Sequence, residues 1–199
     1  MATDARMFAP AAMRNREPIL AILRRVLPRS GLVLEVASGT GEHIAHFAAG
    51  LPGLTFQPTE FDADRRASVD AWTAGLRNVR PAVALDATAP VWPVERAAAM
   101  FCANMIHIAP WEATLGLLAG AGRVLPPGGV LVLYGPYMQG GAHTAESNAA
   151  FDADLRMRDA RWGVRDLDEV ARVAACAELR LEEIVAMPAN NLVVVFRRG

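Results

Sequence analysis

At 199 residues and 53% hydrophobic content, the chain is long enough to bury one substantial core and short for two, so a single domain over residues 1–199 is expected. Its net charge of −1 and pI near 6.4 leave no broad basic field for nonspecific nucleic-acid binding, and nucleic acid is not favoured as a partner. The two cysteines, Cys102 and Cys176, form no CxxC pair and have no metal-ligand spacing with the four histidines. No 18-residue apolar span and no signal-peptide core occurs, so a reduced, cytoplasmic protein with neither metal nor membrane anchor is expected.

Residues 1–13 lack periodicity. Ile19, Leu20, Ile22, Leu23, Val26 and Leu27 then recur at helical spacing and predict a lead-in helix over about 14–28. Pro18 suits its first turn, which puts Arg14, Asn15 and Arg16 just ahead of the helix. Pro28 and Gly31 end it and feed Leu32–Gly41, a short β-rich run closing in Ser38-Gly39-Thr40-Gly41. Val33, Leu34 and Val36 suit a strand buried on both faces, and the small residues let the backbone turn sharply and approach a ligand. A helix from Glu42 to Ala49 would point its free N–H groups back at this turn, a favourable place for an anionic group. A dinucleotide fingerprint would need a third glycine where Ile44 stands, and a P-loop would need a lysine after the glycines, whereas the whole chain has none.

Leu54–Thr59 reads as a second strand ending in Glu60-Phe61-Asp62, with Pro58 predicting a bulge or an early end. An acid at this place, about 20 residues after the glycine turn, accepts from ribose hydroxyls in nucleotide sites; Glu60 is either that acid or an ordinary strand-end carboxylate, with Asp62 its rival. After a helix over Ala63–Leu76, Val83–Leu85 reads as a short third strand ending at Asp86, a residue type that also forms turns. A fourth strand, Ala97–Ala103, delivers Asn104, Met105 and His107 to its carboxyl end, where ligands lie in open parallel sheets. An imidazole titrates near neutral pH, so His107 is the first general-base candidate and Tyr137 the second; a structural hydrogen-bonding role is the alternative for His107.

Pro110-Trp111 opens a further helix, and the turn Pro126–Gly129 leads into a fifth strand, Val130–Tyr134. The polar segment 135–165, with a helix over 145–158, has the length of a site cover. Tyr137, His143, Glu146, Asn148, Arg158, Trp162 and Arg165 are its pool of substrate contacts. Asp166 and Glu169 give a capping-box start to the last helix. Leu181–Met187 and Leu192–Phe196 are separated by too few residues for a parallel crossover and must form an antiparallel hairpin.

Glu35 followed by Ala37, Gly39 and Gly41 resembles the first motif of class I S-adenosylmethionine-dependent methyltransferases, with Ala37 in place of the usual first glycine, a change of little cost if its φ is negative. More narrowly, Glu35–His43, Gln57-Pro58, Asn104–His107, Tyr134–Tyr137 and Trp162–Asp166 resemble a family of small methyltransferase-like proteins of unknown substrate. The resemblance spans Leu32–Arg197 and implies a Rossmann-like α/β fold, a seven-stranded, mostly parallel sheet with a C-terminal antiparallel hairpin and helices on both faces. It implies S-adenosyl-L-methionine as cofactor, held by Asn15, Arg16, Glu35, Ala37, Ser38, Gly39, Gly41, Glu60, Phe61, Asp86, Ala87, Asn104 and Met105, with Asp86 and the Ala87 N–H on the adenine. The implied reaction is direct methyl transfer to an N, O or S atom of a small molecule. The alternatives are a nicotinamide-dependent oxidoreductase and a noncatalytic S-adenosylmethionine-binding subunit.

Overall fold

A computed structural model describes residues 4–199; residues 1–3 of the expected aperiodic lead-in lie outside them. In chain order the elements are α1 (Pro10–Val26), β1 (Gly31–Val36), α2 (Glu42–Gly50), β2 (Leu54–Thr59), α3 (Ala63–Thr73), β3 (Ala99–Ala103) and α4 (Trp111–Val124). There follow β4 (Val130–Gly135), β5 (Met138–Gln139), β6 (Ala142–His143), α5 (Glu146–Arg158), α6 (Leu167–Cys176), β7 (Leu179–Met187) and β8 (Asn191–Arg198). The main sheet runs in the order β2-β1-β3-β4-β8-β7, parallel through its first four strands and closed by the antiparallel hairpin.

Continuous apolar runs make the central strands because both faces of the sheet are covered. Alternate residues feed two cores: Leu34, Met100 and Leu131 meet Leu117 of α4 and Val170 of α6, while Val33, Phe101 and Val132 meet Ile19 and Leu23 of α1 and Phe47 of α2. The chain leaves β1 for β2 on one side and returns to β3 on the other, so the connections diverge at the carboxyl end of β1 and open a crevice there.

The α/β class, the parallel order and the terminal hairpin are as expected, but the sheet has six strands rather than seven. Val83–Leu85 does not form a strand; Val79 and Val83 touch β2 only as isolated bridges. Pro58 explains the gap. Even-numbered residues of β2 face this outer edge, where Phe56 N–H and Glu60 N–H donate to Asn78 and Val83, and the intervening Pro58 has no N–H to give. Pro58 also does not bulge or shorten β2, since its missing donor lies away from β1. A second correction concerns α1, which begins at Pro10 and carries Pro18 in its interior, so Asn15 and Arg16 lie within the helix rather than ahead of it. Ala12, Asn15, Ile19 and Leu23 share its buried face.

After Val36 the backbone turns through positive φ at Ala37 (58°), Gly39 (58°) and Gly41 (96°). Ala37 is therefore not the inexpensive replacement that a negative φ would allow, and its left-handed conformation costs roughly 1–2 kcal/mol. At Gly41 a side-chain carbon would sit 2.7 Å from the Val69 Cα on α3. Chemical denaturation should show Ala37→Gly stabilised by ~0.5–1 kcal/mol as this strain is relieved. Gly41→Ala should lose ~2 kcal/mol or more, because it adds both a disfavoured φ and a clash with backbone.

Candidate functional site

The floor of the crevice is the turn after β1. Ser38 N–H donates to Thr59 O at 2.8 Å, and Gly39 N–H donates to Glu60 Oε2 at 2.8 Å. Glu60 Oε1 accepts from Asp62 N–H at 3.2 Å, so Glu60 is buried against the turn and braces it, while Asp62 caps α3 by accepting from Arg65 N–H at 2.9 Å. The side of Gly39 away from this brace is open: a side-chain carbon there would meet nothing within 4 Å. Glu35, at the end of β1, is 3% exposed, and its Oε2 has no hydrogen-bond partner among the described residues. Burial pushes its carboxyl up to about 8, with the negative charge of Glu60 adding to the rise and the neighbouring Ser38 hydroxyl pulling the other way. The Ser38 hydroxyl is itself buried and completes no hydrogen bond.

The structure thus brings Glu35, Ala37, Ser38, Gly39, Gly41 and Glu60 together. Phe61 follows at the end of β2 with 72% of its surface exposed. Asp86 is exposed and its Oδ1 accepts from the Thr88 N–H and hydroxyl at 2.8 and 2.7 Å, which makes it the turn former; Ala87 beside it is buried against α4. Asn104 takes a left-handed conformation (φ 59°) as the chain leaves β3, and its N–H donates to Tyr134 O. Met105 lies half-buried next to it. From α1, Asn15 is buried and Arg16 is half-exposed.

His107 and Tyr137 are both fully buried, against the expectation of bases facing a substrate. Burial, reinforced by the Arg165 charge, pushes the His107 imidazole down to about 3. Its Nδ1 accepts from Arg165 N–H at 3.2 Å, which leaves the hydrogen of the neutral ring on Nε2, an atom with no partner among the described residues. Tyr137 packs edge-on to this ring at 5.0 Å, with its hydroxyl unpartnered and its ionisation suppressed by burial. Neither group meets an incoming acceptor in this arrangement.

Arg165 is likewise occupied rather than free for substrate: it donates to Ile106 O, Ala109 O and Arg161 O and lies over the Trp111 ring. Asn148 is buried and donates to Thr144 Oγ1 and Asn190 O, which ties α5 to the terminal hairpin. His143 lies 3.6 Å from Asp152 and is partly exposed; Glu146 and Arg158 are exposed on α5, with Arg158 over the Trp162 ring.

Sequence reasoning missed a second tier of residues. His43 Nε2 lies 2.6 Å from Asn15 Oδ1, and burial pushes this imidazole down to about 4. Tyr134, 3% exposed, is the last residue but one of β4. Residues 7–9 also form a strap over the glycine turn: Met7 N–H donates to Ser68 Oγ, whose hydroxyl donates to Thr40 O, and Trp72 Nε1 donates to Met7 O. Glu42 Oε2 accepts from Ala9 N–H at 2.5 Å and from the Thr40 hydroxyl at 2.9 Å. The available signal was the polar Glu42-His43 pair at the start of a helix that is apolar from there on except for His46.

The fold is similar to that of several solved structures, methyltransferases among them. TnmH is 21% identical with a TM-score of 0.78, the match covering 95% of this chain and 55% of that one. CalO1, a methyltransferase in calicheamicin biosynthesis solved in its SAH-bound form, is 21% identical with a TM-score of 0.73, covering 92% of this chain and 54% of that one. An O-methyltransferase family protein from Burkholderia thailandensis is 17% identical with a TM-score of 0.81, covering 95% and 57%. The chain spans a little over half the length of these proteins. No helix of the described residues is long and apolar enough to cross a membrane. Matching its family profile over residues 6–198, the chain belongs to the family described as protein of unknown function, DUF938.

Proposed function

We propose that the protein binds S-adenosylmethionine at the crevice after β1 and transfers its methyl group to an N, O or S atom of a small molecule. The observation that carries this reading is the unpartnered, buried Glu35 carboxyl beside a glycine turn that is open on one side. A ligand with an ammonium group would supply the missing partner and favour the ionised carboxylate. When bound, S-adenosylmethionine supplies a methyl group that passes to the acceptor's lone pair as the carbon–sulfur electron pair returns to sulfur. Glu35, Ser38, Gly39 and Glu60 hold and orient the adenosyl ligand, Phe61 offers an apolar face beside Glu60, and Asn104 and Met105 border the acceptor side. Positioning of this kind contributes up to ~7–11 kcal/mol in well-aligned systems.

With His107 and Tyr137 sealed inside, their role is to hold the segment above the strand ends, and the acceptors best suited are those that arrive with a free lone pair. His143 is the one histidine of the 135–165 segment, and it, Glu146, Arg158 and Trp162 remain the polar and aromatic groups available to a substrate there. A nicotinamide-dependent reaction is disfavoured by Ile44, which is fully buried where the dinucleotide motif has its third glycine.

Thermal unfolding tests the cofactor class. S-adenosylhomocysteine at about 100 times its dissociation constant should add ~2.7 kcal/mol and raise the melting temperature by roughly 5–10 °C, with NAD and NADP giving no rise; a rise with a dinucleotide alone overturns the assignment. A second measurement follows from Glu35. A carboxyl raised from 4.5 to about 8 on folding favours the folded state fully below pH 4.5 and loses that advantage as pH rises toward 8. Without ligand, wild type should therefore lose ~1.4 kcal/mol per pH unit relative to Glu35→Gln between about pH 5 and 8, or roughly 3–5 °C per unit in melting temperature. Parallel melting curves of the two proteins across that interval would refute the buried carboxyl.

A further inference from the structure

Helix α5 is attached to the molecule differently from its neighbours. α4 sends Leu117, Leu118, Ala121 and Val124 into the core, and α6 sends Leu167, Val170 and Ala174. The buried face of α5 consists of Asn148, Asp152 and Leu155, so most of what it turns inward is polar. Among the described residues none of α5 belongs to either apolar core, and Leu155, fully buried, packs outside both. Lifting this helix uncovers one leucine and breaks a few hydrogen bonds, which puts it at the low-stability end of the structure.

The bonds that hold α5 down are polar. At its N-terminal end Asn148 Nδ2 donates to Asn190 O at 2.9 Å, and Asn190 Nδ2 donates to Ser147 Oγ at 3.0 Å. In its middle Asp152 Oδ1 accepts from Val164 N–H at 2.7 Å. A side-chain carbon on Gly163 would sit 2.7 Å from the same oxygen, so the helix is seated directly on residues 163–164. Gly163 N–H in turn donates to His107 O beyond β3, and Asn190 precedes the β8 residues that pair with the end of β4. α5 therefore spans the carboxyl ends of β3 and β4, while the glycine turn is fastened to the end of β2 and takes no part in these bonds. Ala145 and Asp159, the extended residues that flank the helix, are the places for hinges. His143 stands 3.6 Å from Asp152, with its Nδ1 buried and without a partner among the described residues. The surface beneath α5 thus carries an amide, a carboxyl group and an imidazole nitrogen, which suits a polar guest.

We propose that α5 is a lid over the carboxyl ends of β3 and β4, that it opens while both apolar cores stay folded, and that its opening is the way in for a polar methyl acceptor. In naming what enters, the inference rests on the proposed methyl transfer; the movement of α5 follows from its attachment alone. Because the bonds of the glycine turn lie outside the moving part, the lid admits one reactant without disturbing the place of the other.

Amide hydrogen exchange of the ligand-free protein, read by mass spectrometry, tests the lid. Peptides of α5 should exchange at least ~100-fold faster than those of α4. Asn148→Ala, which removes the side-chain bonds to Thr144 and Asn190, should speed α5 roughly tenfold further and leave α4 unchanged. Thiol labelling gives a second readout. With the exposed Cys176 replaced by Cys176→Ser, Leu155→Cys should react well ahead of the native Cys102, which is buried in β3 and reports opening of the core. Exchange of α5 and α4 at one common rate, or labelling at position 155 no earlier than at Cys102, overturns the lid. Neither measurement uses a ligand, so the donor site is judged separately by the thermal shift with S-adenosylhomocysteine. A lid that opens in a protein without that shift upholds the movement and overturns the methyl acceptor as its guest.

Discussion

At the end of β1 the backbone reverses through a positive-φ alanine and two positive-φ glycines, and a hydrogen bond from Ser38 N–H to Thr59 O fixes where it does so. Glu60 then takes the next N–H, that of Gly39. These two bonds lock the turn to the end of β2, so the crevice floor is built from the sheet rather than from a mobile loop. Gly41 sits against the backbone of α3, which sets how α2 departs and aims its N-terminus over the strand ends. The strain at Ala37 is held by this bracing, as expected where a surrounding structure over-determines an unfavourable conformation.

The segment after β4 is attached to the same strand ends by buried polar contacts. Gly163 N–H donates to His107 O and Arg165 N–H to His107 Nδ1, while the Arg165 guanidinium collects carbonyls from the chain that follows β3. Asp152 accepts from Val164 N–H at 2.7 Å and pairs with Arg156. A neutral His107 suits this work, because an imidazolium sealed in the same place would have to donate at Nδ1 toward an N–H.

The order of elements was readable because each central strand is an uninterrupted apolar run, and the hairpin because its connection is short. The limits were physical as well. Val83–Leu85 has strand composition, yet pairing depends on what the partner edge can donate, and Pro58 removes one donor there. Pro18 reads as a helix start by propensity, while burial of Ala12 and Asn15 against the core carries the helix back to Pro10. The turn residues of the site are local in sequence and could be named. His107 and Arg165 have the residue types of catalysis and recognition, and only their burial and occupied hydrogen bonds separate an interior scaffold from a working surface. His43 and Asn15 stand on different helices 28 residues apart, and their hydrogen bond is a property of three-dimensional packing alone.

The strap over residues 7–9 gives the first segment of the chain a structural duty. Its anchors are not private to it: Ser68 serves both Met7 and the Thr40 carbonyl, and Glu42 serves both Ala9 and the Thr40 hydroxyl. Removing the strap would strip partners from two buried side chains that also clasp the glycine turn, so a shortened chain would carry its damage in the crevice after β1 and not at its tip. The start of this sequence is thus part of the same clasp as the turn some thirty residues later, and a fusion partner or tag placed against Met7–Ala9 would press directly on the floor of the site.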